Sequence, residues 1–500
     1  MGEEWSSNAN DAVRISLVQP SAAGVTELST FHPKFTYPIF GEEERIFGYQ
    51  NLEIYLRFVA HDLRPNLQIS YDKKFQAVGE TRALDLNKTL KDWIPKSAFQ
   101  KAGDFDTAIT DGTGEVFTPP GRLVHSYLRK GRKFEVWAGP LSDPAVKAVL
   151  DRIQIFISFY IEGGTPLNTD DVDWTLERWT IYFVYEKQAT SASPKISPYS
   201  FVGYATTYRF YTFNPTSKSD LQSFIPDRSF LQTQSISVSQ LPSRLRISQF
   251  LILPPHQHYG HGSELYNTIF EISLSDSNVH ELTVEDPNEE FDLIRDVNDY
   301  ARLLPEFISH NVSINPDPYP SQNKRPPKKL PTSSILPLPT LTTLRLKYKI
   351  APRQFSRLTE MYLLSKIPSS SRVLGGANLV KLKTQKHRIS NIDDRTYYWW
   401  RLLVKQRIYK KNKDMLIQLD VEERYQKLDE TAIMQEGEYE LIMAGMEDRR
   451  KKIEGEKGGD DGKVVTETGA GSVARKRKLI EDDDEDEDED EEDDSKRLKT

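Results

Sequence analysis

The sequence predicts an α+β protein with a mostly antiparallel central sheet, a C-terminal helical domain and a charged tail. Apolar residues alternate with polar ones in several short stretches of the first half, which is typical of half-buried strands. After residue 344 the apolar residues recur with helical spacing. An unbroken run of fourteen acidic residues, 481–494, cannot bury apolar area and is therefore expected to be disordered.

The N-terminal region, residues 1–140, is predicted to be a mixed α/β domain. A short helical turn is expected at 90–94, and Pro95 should end it because proline has no backbone N–H to donate. Strands are expected where apolar residues alternate, at 12–18, 52–59 and 67–71.

Residues 141–310 are predicted to form the central domain, with a helix at 144–150. Strands are expected at 153–161, 179–185 and 201–213. Glu162 would then lie at the tip of the first of these strands. Neighbouring strands joined by loops pair most simply in antiparallel order. The polar stretch 214–243 is predicted to be a loop insertion, because it is longer than the connections of compact domains.

The stretch 246–295 combines a strand, a glycine loop, a helix and a second strand. The apolar strand 247–253 ends at two prolines, and the strand 282–284 leads directly into Glu285 and Asp286. Gly260 and Gly262 lack side chains, so backbone N–H groups and the helix dipole can face an anion. The pattern predicts a phosphate cradle with a carboxylate at the tip of the next strand. A further helix is expected at 291–304.

Three segments are predicted after the sheet: a proline-rich linker at 311–343, a helical domain at 344–454 and a disordered basic and acidic tail at 455–500. The helical stretch 397–443 has a strongly basic beginning, whose charges either solvate a helix surface or bind nucleic acid or an acidic protein. The acidic run either binds a basic partner or only solubilises the chain. Short basic clusters at 475–478 and 496–499 suit a nuclear import signal.

Composition argues against several classes of protein. The net charge is −8, and leaving out the fourteen acidic residues of the 481–494 run makes it +6. The absence of cysteine excludes disulfides, thiol nucleophiles and cysteine zinc sites, and it fits a reducing compartment. The polar N-terminus and the lack of a long apolar run lead us to expect neither secretion nor membrane insertion.

This sequence lacks the residues that several common kinds of catalytic site require. His256, His258 and His261 lie close together, but they straddle a turn and have only Glu264 as a neighbouring carboxylate. Surface or turn histidines are therefore favoured over a metal site. No nucleophile elbow, P-loop lysine or three-glycine dinucleotide fingerprint occurs, which argues against hydrolase, kinase and dehydrogenase functions.

The motif Gln257-x-x-Gly260-x-Gly262 is weak alone, because an ordinary strand-to-helix connection can carry the same glycines. In the order strand, loop, helix, strand and carboxylate, it resembles the pyrophosphate-binding motif of the GCN5-related N-acetyltransferase (GNAT) superfamily. The resemblance is closer to one of its families, the catalytic subunits of type B histone acetyltransferases, in a fungal-like form. It covers most of residues 11–430, and it implies a GNAT acetyltransferase core. The residues that carry it are 31–49, 177–187, 246–253, 282–287, 295–296 and 349–350.

This resemblance implies a histone lysine acetyltransferase that transfers acetyl directly from acetyl-CoA, its co-substrate, with a glutamate as general base and no metal. Glu285 is the implied base, with Glu162 and Asp286 as carboxylates that share the task. Simpler interpretations remain open: Asp286 before Pro287 fits a helix cap, and Glu162 beside two glycines fits an exposed loop.

The resemblance also implies the residues that bind acetyl-CoA. Backbone groups of three strand residues would bond the pantetheine arm like an added strand, the glycine loop would hold the pyrophosphate, and two later residues would contact the cofactor more weakly. These residues are Phe250, Leu251, Ile252, Gln257, His258, Tyr259, Gly260, His261, Gly262, Ser263, Asn288 and Arg295.

The implied substrate is the cationic N-terminal tail of newly made histone four, delivered with histone three and bound together with a WD-repeat histone-binding subunit. Trp179 is included among the substrate residues, although a core position in its strand fits it equally. The expected location is cytoplasmic and nuclear, without membrane or direct nucleic-acid binding. The implied substrate-binding residues are Glu42, Glu43, Glu44, Trp179, Tyr208, Arg209 and Phe210.

Two other functions stay open at this point. One is a non-catalytic histone carrier that keeps the fold as a scaffold, which a bare glycine cradle and a base disfavour. The other is acetylation of a different amine, which the acidic run and the glutamates at 42–44 disfavour for small molecules.

Overall fold

A computed structural model of the protein describes residues 3–21, 24–111, 116–188, 196–211, 242–319 and 330–457. Most of the predicted loop insertion, the middle of the proline-rich linker and the acidic tail lie outside these residues. The chain divides into two compact units, residues 1–444 and 445–500. Of the second unit the described part is the end of one long helix, so the fold below is that of the first.

The N-terminal region contains a four-stranded sheet of order β3-β2-β6-β7, in which only β2 and β6 run parallel. All three strands predicted before residue 72 are confirmed. The strands are β1 (Ser6–Asn8), β2 (Val13–Ser21), β3 (Gly24–Phe31), β4 (Arg45–Phe47), β5 (Tyr49–Gln50), β6 (Glu53–Val59), β7 (Pro65–Ser70) and β8 (Lys73–Lys74). Short helices accompany them: α1 (Ala9–Ala12), α2 (Tyr37–Phe40), α3 (Leu86–Leu90) and α4 (Ala102–Ile109).

The central sheet has six strands in the order β14-β13-β12-β11-β10-β9. Every neighbouring pair is antiparallel except β13 and β14, so the predicted mostly antiparallel sheet is confirmed. β9 and β10 precede residue 140 yet belong to this sheet. The strands are β9 (Arg122–Arg129), β10 (Arg132–Pro140), β11 (Trp179–Lys187), β12 (Tyr199–Tyr211), β13 (Ser243–Ile252) and β14 (Val279–Val284).

The predicted strand at 153–161 is wrong, because this segment is helical. α5 (Pro144–Ile153) begins with the Asp143 side chain accepting from the backbone N–H of Ala145, and α6 (Ile155–Tyr160) follows directly. Every residue from 155 to 159 is buried. A helix that is apolar all round shows no helical period, and its isoleucines at every second position imitated a strand.

The main hydrophobic core lies between the two sheets and is shared by them. Buried side chains of β2, β6, α5, α6, β11 and β12 form one cluster. Phe58 on β6 and Phe156 on α6 have ring centroids 4.8 Å apart within it. The N-terminal region and one face of the central sheet are therefore packed together. A short helix, α7 (Asp173–Leu176), precedes β11.

Two long helices follow β13 and β14. α8 (His261–Ser275) connects these parallel strands, and α9 (Glu289–Ser309) follows β14. α8 packs on the sheet face opposite the main core, where the rings of His261 and Phe134 have centroids 4.4 Å apart. Both helices predicted here are confirmed, and both begin beside the C-terminal ends of β13 and β14.

The C-terminal region is helical, as predicted, although helix begins within the segment assigned to the linker. Arg401 and Lys405 pair with Asp429, and Arg407 pairs with Glu360, so part of the basic charge is used inside this region. In the described part of the chain no helix is both long and apolar enough to cross a bilayer. The helices are α10 (Leu338–Tyr348), α11 (Pro352–Ser365), α12 (Leu379–Gln385), α13 (Ile392–Lys411), α14 (Lys413–Ile417) and α15 (Val421–Lys457).

Candidate active site

β13 and β14 separate at the C-terminal end of their pairing. Their register runs from Ser243 opposite Val279 to Ile247 opposite Val284, and the Glu285 N–H then donates to the Ile247 carbonyl at 2.8 Å. On its other edge β13 has an irregularity after Ile247, where the hydroxyl of Thr206 accepts from the Gln249 N–H at 3.0 Å. A bulge beside an active site commonly redirects a strand in this way.

The separation leaves residues 248–252 of β13 without a β14 partner in the described structure. Their other edge stays paired with β12, where Phe250 lies opposite Ala205 and Ile252 opposite Gly203. Backbone groups on an unpaired strand edge can bond an extended ligand as another strand would. Gln257 does not reach outward, because its Nε2 donates to the Ile252 carbonyl at 2.8 Å. Its side chain therefore fixes the loop to the strand.

The glycine loop forms the start of α8. Gly260 is the N-cap residue with a left-handed φ of 84°, and no side chain caps the helix. This conformation favours glycine, whereas space does not decide, because a Cβ would lie 3.3 Å from the Arg129 Nη2 at the end of a side chain that can move aside. The first N–H groups of a 15-residue helix thus face outward together with the positive end of its dipole. The cradle fits a pyrophosphate.

The hairpin between β9 and β10 brings cations to this loop, which the sequence did not predict. Arg129 Nη2 donates to Glu264 Oε1 at 2.8 Å, and Lys130 Nζ lies 4.5 Å from the centre of the Tyr259 ring. The basic residues are visible in the sequence, but nothing local connects them with a loop 130 residues later. Their charges favour an anion at the cradle.

His261 has a structural role in the described fold. Its ring is 2% exposed, and Nδ1 shares a 2.8 Å hydrogen bond with the Tyr127 hydroxyl. Burial and the neighbouring His256 lower the pKa of His261 to about 4, and burial and Arg132 lower the pKa of His256 to about 4. Neutral rings at pH 7 keep the start of α8 packed on the sheet.

Glu285 lies half-buried at the end of β14, where its backbone is fixed by Ile247. Burial raises the pKa of the nearby Tyr208, and the negative charge of Glu285 raises it further. Tyr208 is aligned through Arg246 on β13 with Thr283 on β14, and Glu285 follows two residues after Thr283, so it continues this row on the same side of the sheet as Tyr208. This is the side that packs on the N-terminal region, opposite α8.

Asp286 is not the cap of the following helix, which corrects one interpretation of the sequence. Asn288 is the N-cap of α9, and its side chain accepts from the Phe291 N–H at 2.8 Å. Asp286 is exposed and has a left-handed φ of 34°, an uncommon conformation for a residue with a side chain. Asn288 is thus engaged in capping, and Asp286 forms the turn next to Glu285.

Arg295 lies two turns after Asn288 on α9, and its side chain is 12% exposed, with its guanidinium 3.4 Å from Asp292. The preceding residue, Ile294, would be 3.0 Å from a Cβ at Gly262, so this turn packs directly on the glycine loop. The predicted cofactor residues of α8 and α9 are therefore brought together at one end of the two helices.

Glu162 follows α6 in an exposed turn rather than at the tip of a strand. Two contacts hold this turn: the Gly163 N–H donates to the Tyr37 hydroxyl at 3.4 Å, and Gln249 Nε2 donates to the Thr165 carbonyl at 3.0 Å. Since Gln249 is two residues from Ile247, the turns that carry Glu162 and Glu285 both approach β13 where it leaves β14.

The aromatic part of the predicted substrate site is assembled on the same sheet face. Trp179 and Tyr208 lie opposite each other on β11 and β12, with ring centroids 4.7 Å apart. The Arg246 guanidinium lies 5.9 Å from the Tyr208 ring and from the 46% exposed Phe210 ring. Trp179 also packs against the main core, so both interpretations of this residue describe part of its surroundings.

Arg209 does not join this aromatic group. Successive side chains of a strand point to opposite faces, and Arg209 points to the α8 side. There it forms an ion pair with Asp276 and donates to the Ser243 hydroxyl at 3.3 Å. Arg209 therefore lies on the opposite face of the sheet from Tyr208 and Phe210. Its predicted place in the same substrate-binding group is wrong.

The three glutamates at 42–44 have two different environments. Glu42 and Glu43 are exposed in the turn after α2. The Glu44 carboxylate accepts from the backbone N–H groups of Thr36 and Tyr37 and from Asn10 Nδ2. Glu44 thus holds the start of α2, and the two exposed glutamates remain available to a cationic substrate.

Comparison with known proteins relates most of the chain to one family. The descriptions "Histone acetyl transferase HAT1 N-terminus" and "Fungal HAT1, C-terminal" match residues 5–162 and 324–367. The chain is similar to the histone acetyltransferase type B catalytic subunit of Aspergillus fumigatus, with 52% identity over 90% of this chain and 79% of that protein. The Aspergillus oryzae subunit is 51% identical over 88% of this chain and 86% of its own length. A solved aminoglycoside acetyltransferase from a soil metagenomic sample aligns with 40% of this chain and 97% of its own length, at 12% identity. The TM-score is 0.19, which is too low to support a conclusion about the fold.

Proposed function

The chain belongs to the type B histone acetyltransferase catalytic subunits, and we propose that it acetylates lysines in the N-terminal tail of newly made histone four with Glu285 as the general base. Membership makes the protein an enzyme that transfers acetyl groups to histones, and it implies acetyl-CoA as the co-substrate.

The observation that carries the proposal is the position of Glu285. Its backbone ends the pairing of β14 with β13, at the point where the two strands separate. The unpaired edge of β13 begins there, and the register of β12, β13 and β14 puts Tyr208 on the same side of the sheet as Glu285. One carboxylate is thus placed between the groups that fit an acetyl donor and the groups that fit a peptide.

Acetyl-CoA fits the described residues in two places. The edge of β13 at Phe250, Leu251 and Ile252, which β14 leaves unpaired, would bond the pantetheine arm through backbone groups other than the Ile252 carbonyl, because Gln257 already donates to that carbonyl. Residues 257–263 at the start of α8 would hold the pyrophosphate. Arg129 lies beside Gly260 but is paired with Glu264, and Arg295 is paired with Asp292, so the start of α8 itself is the main attraction for the anion. When bound there, acetyl-CoA supplies a thioester whose acetyl group is open to attack by an amine.

Glu285 removes the proton that prevents this attack. A lysine amine has a pKa of about 10.4, so at neutral pH it carries a proton and is not nucleophilic. A carboxylate within hydrogen-bond reach, directly or through one water, accepts that proton before the amine attacks. The new carbon–nitrogen bond then replaces the carbon–sulfur bond of the thioester, and CoA leaves as the thiol with the second amine proton. Glu162 lies in the turn before Thr165, whose carbonyl accepts from Gln249 of β13, and it would assist as a proton acceptor or by attracting the cationic substrate. Asp286 shapes the turn that presents Glu285.

We expect the tail of histone four, which is cationic and extended, to bind where the sheet meets the N-terminal region. Glu42 and Glu43 are exposed carboxylates on the N-terminal side. On the sheet side, Trp179, Tyr208 and Phe210 supply aromatic faces against which the aliphatic part of a lysine and its charge can pack.

The wider setting of the enzyme follows from the same proposal. The protein works with a WD-repeat histone-binding subunit, receives histone four together with histone three, and acts in the cytoplasm and the nucleus. A non-catalytic histone carrier is the less supported alternative, because a carrier needs neither the uncapped cradle at Gly260 nor a carboxylate at the strand separation. Acetylation of a different protein amine shares the same chemistry and differs only in substrate.

Mass spectrometry of histone four after incubation with acetyl-CoA and the full-length protein tests the proposal. We expect mass increases of one acetyl group on lysines of the N-terminal tail. Equal labelling of an unrelated lysine-rich protein would favour a different amine, and no labelling of any histone would favour the carrier. The Glu285→Gln variant assayed in parallel separates enzymatic transfer from spontaneous acetylation.

A further inference from the structure

We propose that Asn298 on α9 is a positioning residue that holds the Ser263 hydroxyl as a hydrogen-bond donor to a phosphate of acetyl-CoA. The inference rests on the proposed cofactor site and adds a residue that does not itself touch the cofactor. Asn298 Nδ2 lies 3.1 Å from Ser263 Oγ, in the first turn of α8. Its action is therefore exerted through Ser263.

The orientation of the Asn298 amide is determined by its surroundings. Nδ2 also donates to the backbone carbonyl of Ile294 at 2.7 Å, and a carbonyl can only accept. Reversing the amide would place two oxygen atoms in contact at that point. The group that faces Ser263 is therefore an N–H donor, and Ser263 Oγ is the acceptor of this bond.

A chain of hydrogen bonds that begins at Arg302 independently fixes the same orientation of the Asn298 amide. Arg302 Nη2 donates to Asn267 Oδ1 at 2.8 Å, and a guanidinium has no acceptor. Asn267 must then present its Nδ2 to Asn298 Oδ1, 2.9 Å away. Each amide accepts on one side and donates on the other. Arg302 is in turn held by the buried carboxylate of Asp299 at 2.9 Å.

The last bond of this chain leaves the proton of Ser263 free. A serine hydroxyl has one O–H to donate, and its bond with Asn298 uses only an oxygen lone pair. Within the described part of the chain, Ser263 Oγ has no acceptor of its own. The hydroxyl belongs to the helix turn whose backbone N–H groups lack a side-chain cap. An anion at the cradle thus gains one more donor, and a charge-assisted bond is the stronger kind.

The test compares two acetyl donors, acetyl-CoA and S-acetylpantetheine, which has the thioester but no phosphate. Ser263→Ala should raise the KM for acetyl-CoA about tenfold, because it removes a hydrogen bond to a charged group. Asn298→Ala should raise it about threefold to tenfold, because the hydroxyl is then free to turn away. In both variants kcat and the kcat/KM for S-acetylpantetheine should stay within about twofold.

The double variant Ser263→Ala/Asn298→Ala measures whether the two side chains act on acetyl-CoA binding together or independently. If Asn298 acts through Ser263, the double variant has the same KM for acetyl-CoA as Ser263→Ala alone. Asn315→Ala is the matched control, since Asn315 also donates its amide to a backbone carbonyl, that of Ser334 at 3.0 Å, outside α8 and α9. It should leave both donors unaffected.

Two results would overturn the inference. One is an equal loss of kcat/KM for both donors in Asn298→Ala, which means that the side chain only supports the fold. The other is a double variant whose KM increase is the product of the single increases. Calorimetric titration of the wild-type protein with CoA is the separate check, because an absence of binding there contradicts the proposed cofactor site itself.

Discussion

The backbone N–H of Glu285 donates to the carbonyl of Ile247 at 2.8 Å, immediately after the last paired residues of β14 and β13. The proposed base is therefore held by the main chain, and its position does not depend on side-chain partners. The same bond fixes the start of the gap between the strands. Any change that moves this turn should alter catalysis more than it alters folding.

Substitutions of Asp286 can distinguish the effect of the turn conformation from the effect of a second carboxylate beside Glu285. Its φ of 34° is one that glycine adopts at no cost and that alanine disfavours by about 1 kcal/mol. We expect Asp286→Gly to keep kcat within about tenfold of the wild type and Asp286→Ala to reduce it more. Steady-state kinetics on a histone four peptide measures both. A loss as large in Asp286→Gly as in a Glu285 variant would mean that the Asp286 carboxylate is itself required.

Gly260 should tolerate alanine poorly. Its φ of 84° is left-handed. Alanine there costs about 1–2 kcal/mol, and relief of the strain moves the first N–H groups of α8. We expect the Kd for CoA to rise about tenfold by calorimetry. Gly437→Ala is the control, because that glycine is helical and its Cβ would meet Leu374 at 3.5 Å, an ordinary contact. Equal CoA binding in both variants would contradict the cradle.

Stability should fall in mild acid because of His261. Its pKa is about 4 in the folded protein against 6.5 as the ordinary value, so the unfolded chain binds more protons between these pH values. The stabilisation is complete above pH 6.5 and is lost as the pH falls toward 4, by up to ~3 kcal/mol.

His261→Gln should be less stable at pH 7 but should lose less stability between pH 7 and pH 5 than the wild type. Urea denaturation at several pH values measures this difference. The exposed His310→Gln serves as the control and should keep the wild-type dependence. Parallel curves for wild type and His261→Gln would show that this ring does not carry the acid sensitivity.

The glutamates after α2 should separate into two roles. Glu42→Gln combined with Glu43→Gln should raise the KM for a histone four tail peptide several-fold, with an unchanged melting temperature, because both side chains are exposed. Glu44→Gln should lower stability by about 1–3 kcal/mol, since its carboxylate accepts from Thr36, Tyr37 and Asn10. The reverse assignment, a stability loss at 42 and 43 without a KM change, would remove them from the substrate site.

Local patterns in the sequence predicted much of this fold. The alternation at 12–18 and 179–185 and the spacing after Gly262 gave strands and helices that the structure contains. The pattern misled at 153–161, because α6 is buried on all sides and its helical period is hidden. A helical period appears in the sequence only when one face of the helix is buried and the other is exposed. It therefore cannot identify a helix that is buried on every face.

The candidate site was predictable where it is local in sequence. The loop 257–263 and Glu285 could be recognised from their order along the chain. Arg129 and Asn298 could not, because they reach the loop from β9 and α9 through packing that no short pattern records. The strand alternation that places Arg209 on the other face was visible in the sequence. Grouping it with Tyr208 ignored the two-residue period.

The most direct test of the central claim is a paired measurement on Glu285→Gln: the Kd for acetyl-CoA by calorimetry and the rate of transfer to a histone four tail peptide. Glu290→Gln, an exposed carboxylate in the first turn of α9, is the matched control. We expect Glu285→Gln to bind acetyl-CoA as tightly as the wild type while transfer falls by about a hundredfold or more, and Glu290→Gln to change neither. Wild-type transfer by Glu285→Gln would contradict the assignment of Glu285 as the general base.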